Sequence, residues 1–229
     1  MRNPWICANT PPMSFLNHLK THARSLQDER GQTRASLDHN LQVTEKACQL
    51  IDWYLRDLAT QLNVIEPLCG PVSVDGKRHW PPMKRTDFRA DARKTMLHNR
   101  EVFERLGMGW QLLPQQGQPV TVHSIANFPP DLAKIESRLA AGKIAHEKVA
   151  VRHPENGQLK EFRFECVTMA RAGVLMMPRH VQGQIEFHLS CVDGFQNRAS
   201  TLSATEVDAS LMDELAKAIV GHDSHFLTR

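Results

Sequence analysis

The chain has 229 residues, 41% of them hydrophobic and 23% charged, with 28 lysines and arginines against 25 acids and a net charge of +3 when its twelve histidines are neutral. This is the composition of an ordinary soluble chain of one or two domains, not of a low-complexity, collagen-like or strongly polyanion-binding sequence. No apolar run approaches the roughly 18 residues a bilayer span needs, and the best candidate, Val174 to Met177, is stopped by Pro178.

The first residues, Met1-Arg2-Asn3-Pro4-Trp5-Ile6-Cys7, lack the apolar core of a secretory leader, so residues 1–13 read as a flexible tail, or Met13 is itself the initiator. Five cysteines (Cys7, Cys48, Cys69, Cys166 and Cys191) are an odd count at wide spacings. They suit neither a disulfide framework nor paired zinc elements, so reduced thiols and a cytoplasmic location are expected.

From Leu16 onward, apolar positions recur at alternating steps of three and four: Leu16, Leu19, Leu26, Leu37, Leu41, Ile51, Leu55, Leu58 and Leu62, with Ala23, Thr44 and Cys48 in the same register. That spacing keeps one stripe on one helix face and predicts a coiled-coil-like segment over 14–66 whose seam needs a partner. Two successive steps of four around Leu37 and Leu41 form a stutter, which locally unwinds a supercoil without ending it. Gly31, beside Arg30 on the seam, marks the alternative, a helical hairpin reversing at that point.

Residues 67–229 read as an α+β domain. Pro71 to Pro82 is a connector with an Asp75-Gly76 turn, and Thr86 or Asp87 caps a predicted helix 87–106, with Phe88, Ala92, Met96, Val102, Phe103 and Leu106 as its apolar face. One or two short strands follow between Met108 and Phe128, then a helix opened by Pro129-Pro130-Asp131 and closed by Gly142. Strict alternation through Phe162, Phe164 and Cys166, and through Ile185, Phe187, Leu189 and Cys191, predicts two half-buried strands. With 144–153 and 199–204 they make an antiparallel sheet of about four strands. The last helix starts from a capping box, Ser203 with Glu206, buries Val207, Leu211, Leu215 and Ile219, and ends at Gly221.

Basic residues concentrate between Lys77 and Arg105, nine against four acids. On the predicted helix, Arg85, Arg89, Arg93 and Arg100 fall on one arc, a candidate phosphate-binding stripe with His79 and Trp80 just upstream. Arg93 and His98 share a spacing that resembles that of some helical RNA-cleaving domains, and the same arginine stems equally suit a solvated flank of the core.

His18 with His22, and His222 with His225, lack a third ligand, so no metal is expected. No phosphate loop, zinc-protease motif or nucleophile elbow occurs, and neither a catalytic residue nor a cofactor is expected. The sequence therefore reads first as a non-enzymatic cytoplasmic interaction or scaffold protein that oligomerises or binds a protein partner through its N-terminal helix, with no membrane association. Nucleic-acid binding by helix 87–106 comes second. An enzyme drawing on His98, His188 or Cys191 comes last.

Overall fold

The computed structural model describes residues 15–228, so Cys7, Met13 and the tail expected over 1–13 lie outside the described residues. Its elements, in chain order, are α1 (Phe15–Ile65), β1 (Met83–Leu97), β2 (Arg100–Pro114), β3 (Thr121–Ala126), α2 (Pro129–Ala141), β4 (His146–Arg152), β5 (Leu159–Val167), β6 (Ala170–Arg179), β7 (Gln184–Ser190), β8 (Asn197–Ser203) and α3 (Ala209–Val220). The fold is α+β with two antiparallel sheets, one of five strands in the order β1-β2-β6-β7-β8 and one of three in the order β3-β5-β4. The expected sheet of about four strands is thus corrected to eight strands in two sheets.

A second correction concerns the helix expected over 87–106. That region is the β1–β2 hairpin, turning at His98 and Asn99. Both turn residues have positive φ, 47° and 67°, the mirror-image two-residue turn whose twist matches that of paired strands. Two irregularities in the β1–β2 register, between Thr86 and Arg89 and between Arg93 and Lys94, break its alternation. Phe88, Ala92 and Met96 stand four residues apart in sequence, a spacing that imitates a helix face, although on the strand Phe88 is buried and Met96 is exposed.

The part of α1 that packs into the fold begins at about Asn40. Thr44, Ala47, Cys48, Ile51, Leu55, Ala59 and Leu62 are buried on it, within the same core as the five-stranded sheet. Two α1 side chains complete the irregular hairpin. The Asn63 amide accepts from Phe88 N and donates to Phe88 O, both at 2.8 Å, just after the first irregularity. At the second, Glu45 Oε1 accepts from Phe103 N at 2.9 Å, while His180 Nε2 donates to Phe103 O at 2.7 Å. Glu45 and Asn63 stand eighteen residues apart, five whole turns, so both project from one side of the helix. Just beyond the helix, Glu66 accepts from Lys84 and Thr86 on β1.

The inner face of the five-stranded sheet consists of Phe88, Leu106, Met108, Trp110, Val174, Met176, Ile185, Phe187 and Leu189, all buried. Phe88 stacks on Trp110 with ring centroids 5.5 Å apart. Beside α1, helix α3 buries Leu211, Met212, Leu215, Ala218 and Ile219, and Tyr54 Oη donates to Asp213 at 2.6 Å. The capping box at Ser203 and Glu206 is present, yet it closes a 3-10 turn over Ala204–Glu206; the cap of α3 is Asp208, which accepts from Leu211 N. Gly221 ends α3 in the left-handed region at φ 86°.

In the smaller sheet, Ser124, Ala126, Phe164 and Cys166 are buried, as are Ile135 and Leu139 of α2. Its edge strand β4 is exposed almost throughout, has a register shift between Val151 and Arg152, and holds Lys148 4.2 Å from the Phe162 ring centroid and 2.6 Å from Glu136. No described helix is long and apolar enough to cross a membrane.

Replacing Asn63 with alanine leaves the Phe88 amide and carbonyl without partners, and we expect it to lower unfolding free energy by about 1–3 kcal/mol. Leu55→Ala should cost about 2–5 kcal/mol, because the space it vacates is fully enclosed. Urea denaturation of both variants checks these values; a loss for Asn63→Ala within about 0.5 kcal/mol of zero, the usual range of a bland surface change, contradicts the clamp.

Candidate functional site

The expected seam on α1 divides at about residue 41. Ile51, Leu55 and Leu62 are buried and Leu58 is partly buried against the core, so the chain's own sheet and α3 cover this half. Leu41 is half-buried. Leu19, Leu26 and Leu37 are 46%, 39% and 36% exposed. The side chain of Leu16 lies outside the described residues. On an ideal helix Leu19, Leu37 and Leu55 share one azimuth, each eighteen residues from the next, and Leu26 falls about 20° away. The open leucines thus prolong the covered ones in a single line. Around the boundary, Asn40 Nδ2 donates to Val181 O and Asp38 lies 3.6 Å from Arg100, beside the hairpin turn. The 23 residues of α1 before Asp38 amount to about 35 Å of helix.

The four candidate phosphate-binding arginines do not share a surface. Arg85 lies on the inner side of β1, only 3% exposed, where Nη1 donates to Leu68 O at 2.6 Å and Val220 O at 3.2 Å. Arg89 is exposed and paired with Asp87, Arg93 with Glu104, and Arg100 with Asp38. The arc belonged to a helix geometry that these residues do not adopt. Sequence reasoning missed a different set. On the outer face of the five-stranded sheet, an open trough of about 320 Å³ has Arg89, Asp91, Lys143, Arg171 and His188 around Gly107, Gly109 and Gly173. Gly109 pairs with Gly173 across β2 and β6, and a Cβ on Gly173 would stand 2.9 Å from Met108 O, so the close approach of these strands requires glycine. Lys143 and Arg171 form no ion pair with any described residue. Arg171 comes from β6, a strand the sequence did not announce, and that is why this grouping was not visible.

The three residues considered for catalysis are not gathered. His98 is in the hairpin turn, His188 faces the trough with Nε2 3.7 Å from Glu186, and Cys191 is buried at the end of β7. Among the described residues, Cys48, Cys69, Cys166 and Cys191 are free thiols, and no three His, Cys, Asp or Glu side chains come together as a metal site. Burial pushes the Cys166 and Cys191 thiols up to about 11, with Asp75 adding to the effect at Cys166. Cys48 is raised further by burial, assisted by Glu45. These are inert packing residues, not nucleophiles.

Compared with protein-family models, characterised proteins and solved structures, the chain matches none.

Since the folded thiol values lie above the ordinary range of about 8.5, the reactive thiolate becomes populated only as pH approaches those raised values. Native protein at neutral pH should therefore leave Cys48, Cys166 and Cys191 unmodified by a chromogenic disulfide reagent, and guanidinium should release them. Rapid modification of Cys166 or Cys191 without denaturant refutes this assignment.

Proposed function

We propose that the chain is a non-enzymatic cytoplasmic interaction protein that pairs with a second copy of itself through the leucine stripe on the first half of α1. The observation that carries this reading is the exposure of Leu19, Leu26 and Leu37 in the register of the buried Leu55. An amphipathic stripe of this kind gains its stabilisation from burial against another apolar surface, and the chain's own core stops at about residue 41.

A second copy is a fitting occupant on grounds of charge. Between Phe15 and Asp38 the helix has Lys20, Arg24, Arg30 and Arg34 against Asp28, Glu29 and Asp38, close to neutral. Lys20 and Arg24 precede Asp28 and Glu29, and Arg30 and Arg34 follow them, so an antiparallel pair centred on Leu26 sets Arg24 of each copy beside Asp28 of the other. This reading takes α1 as unbroken through Gly31. Reduced cysteines suit the cytoplasm.

Light scattering on the whole chain should give twice the 26.0 kDa chain mass. Introducing Leu19→Lys, Leu26→Lys and Leu37→Lys together should return it to a monomer that still unfolds cooperatively, because none of the three is in the core. A wild-type monomer at the highest soluble concentration overturns self-pairing. Removal of everything before Leu68 is unsuitable as a control, since it deletes the buried half of α1.

A second reading, nucleic-acid binding, is favoured by the trough, where Lys143 and Arg171 lack acidic partners. On this reading three cations of Arg89, Lys143 and Arg171 contact the backbone of a single strand, and affinity falls with salt at a log–log slope of about −2. Lys143→Glu with Arg171→Glu should abolish binding to labelled single-stranded RNA and DNA. Absence of binding to either at low salt refutes it.

A further inference from the structure

A guanidinium placed inside a protein keeps its charge, so Arg85 raises the question of what balances it. Burial disfavours the charged form here. The two acceptors of Nη1 are carbonyls, one of them Val220 O in the last turn of α3, whose end provides partial negative charge. No described carboxylate pairs with Arg85. The Nη2 and Nε side of the group has no acceptor among the described residues.

That residue lines a pocket of about 440 Å³, together with Cys69, Gly70, His222, Asp223 and Ser224. The volume suits a small molecule. Gly221, also on the wall, lets the guanidinium reach the opening, because a Cβ there would stand 3.2 Å from Nη2. The wall is itself well fixed. Ser224 Oγ donates to Glu214 O and His225 N to Glu214 Oε2, while the bond from Lys217, followed by that from His225 N, holds the Glu214 carboxyl down at about 2. Of the two acids on the lining, Asp193 is paired with Arg198 and Asp223 is exposed. A buried fork-shaped cation with a free side, opening into a preformed cavity, is the arrangement that recognises an oxyanion.

We propose that this pocket binds the oxyanion group, phosphate or carboxylate, of a small molecule, with Arg85 as its anchor. The test is a titration of the isotope-labelled full chain, observed by amide NMR, with inorganic phosphate and, separately, with acetate in a chloride buffer. Saturable shifts are expected at Gly70, Gly221, His222 and Ser224 for at least one anion, and the two titrations tell which group is preferred. Gly70→Asp adds a carboxylate where a Cβ meets only open space, so it should weaken binding about tenfold at unchanged melting temperature. Arg85→Gln should abolish it. Because Arg85 also ties Leu68 to α3, Gly70→Asp carries the test should Arg85→Gln fail to fold. No saturable shift with either anion, shifts confined to residues around Lys143 and Arg171, or undiminished binding by Gly70→Asp overturns the proposal.

Discussion

The structure depends on the way α1 completes the irregular hairpin beneath it. A register irregularity leaves strand amides and carbonyls without their ladder partners, and inside a core that loss is costly. Asn63 supplies both missing partners at Phe88, and Glu45 with His180 supplies them at Phe103. Because the two α1 groups are separated by whole turns, they fix not only where the helix lies but which side of it faces the strands. Cys48, Ile51, Leu55 and Leu62 then enter the core as a consequence of that fixed rotation. The same rotation leaves Leu19, Leu26 and Leu37 aligned with them beyond the reach of the sheet.

The first irregularity also sorts the positive charges of β1. Met83 and Arg85 are on the inner side, Asp87 takes a φ of 56°, and Phe88 returns to the inner side one residue later than strict alternation allows. Without that displacement Arg85 and Phe88 would point to opposite faces. With it, a guanidinium lies under the end of α3 while Arg89 and Arg93 remain in solvent. A local backbone device thereby converts one basic run into a buried anchor and separate surface ion pairs, worth little individually.

Sequence reading succeeded where local chemistry and tertiary packing agree. Pro129 and Pro130 open α2, Gly221 closes α3, and Phe162 to Cys166 and Ile185 to Leu189 alternate on half-buried strands. It failed in 87–106, where the irregularities shifted the alternation and His98-Asn99 lacked the usual glycine of a tight hairpin. β6 escaped notice because Gly173 and Pro178 resemble loop punctuation, although the strand is paired on both sides. Ser203 and Glu206 formed their box, but around a single turn ahead of the real helix start. The α1 seam shows a deeper limit. An apolar stripe specifies burial, not the identity of what buries it, and the same leucine spacing serves the chain's own sheet in one half of α1 and is open to solvent in the other. The candidate site was illegible for a related reason, since the Arg85 pocket joins the segments around 70, 85, 193 and 222, which only the folded topology brings together.

The edge of the small sheet bears on how such a chain avoids runaway growth. An unpaired strand margin is ordinarily a template for any passing chain. β4 instead carries a lysine engaged with both an aromatic ring and an acid, and opposite its end the neighbouring strand β5 bulges at Lys160. A newcomer would have to desolvate that ammonium before gaining a full ladder, so the charge itself opposes fibre-like extension along this margin.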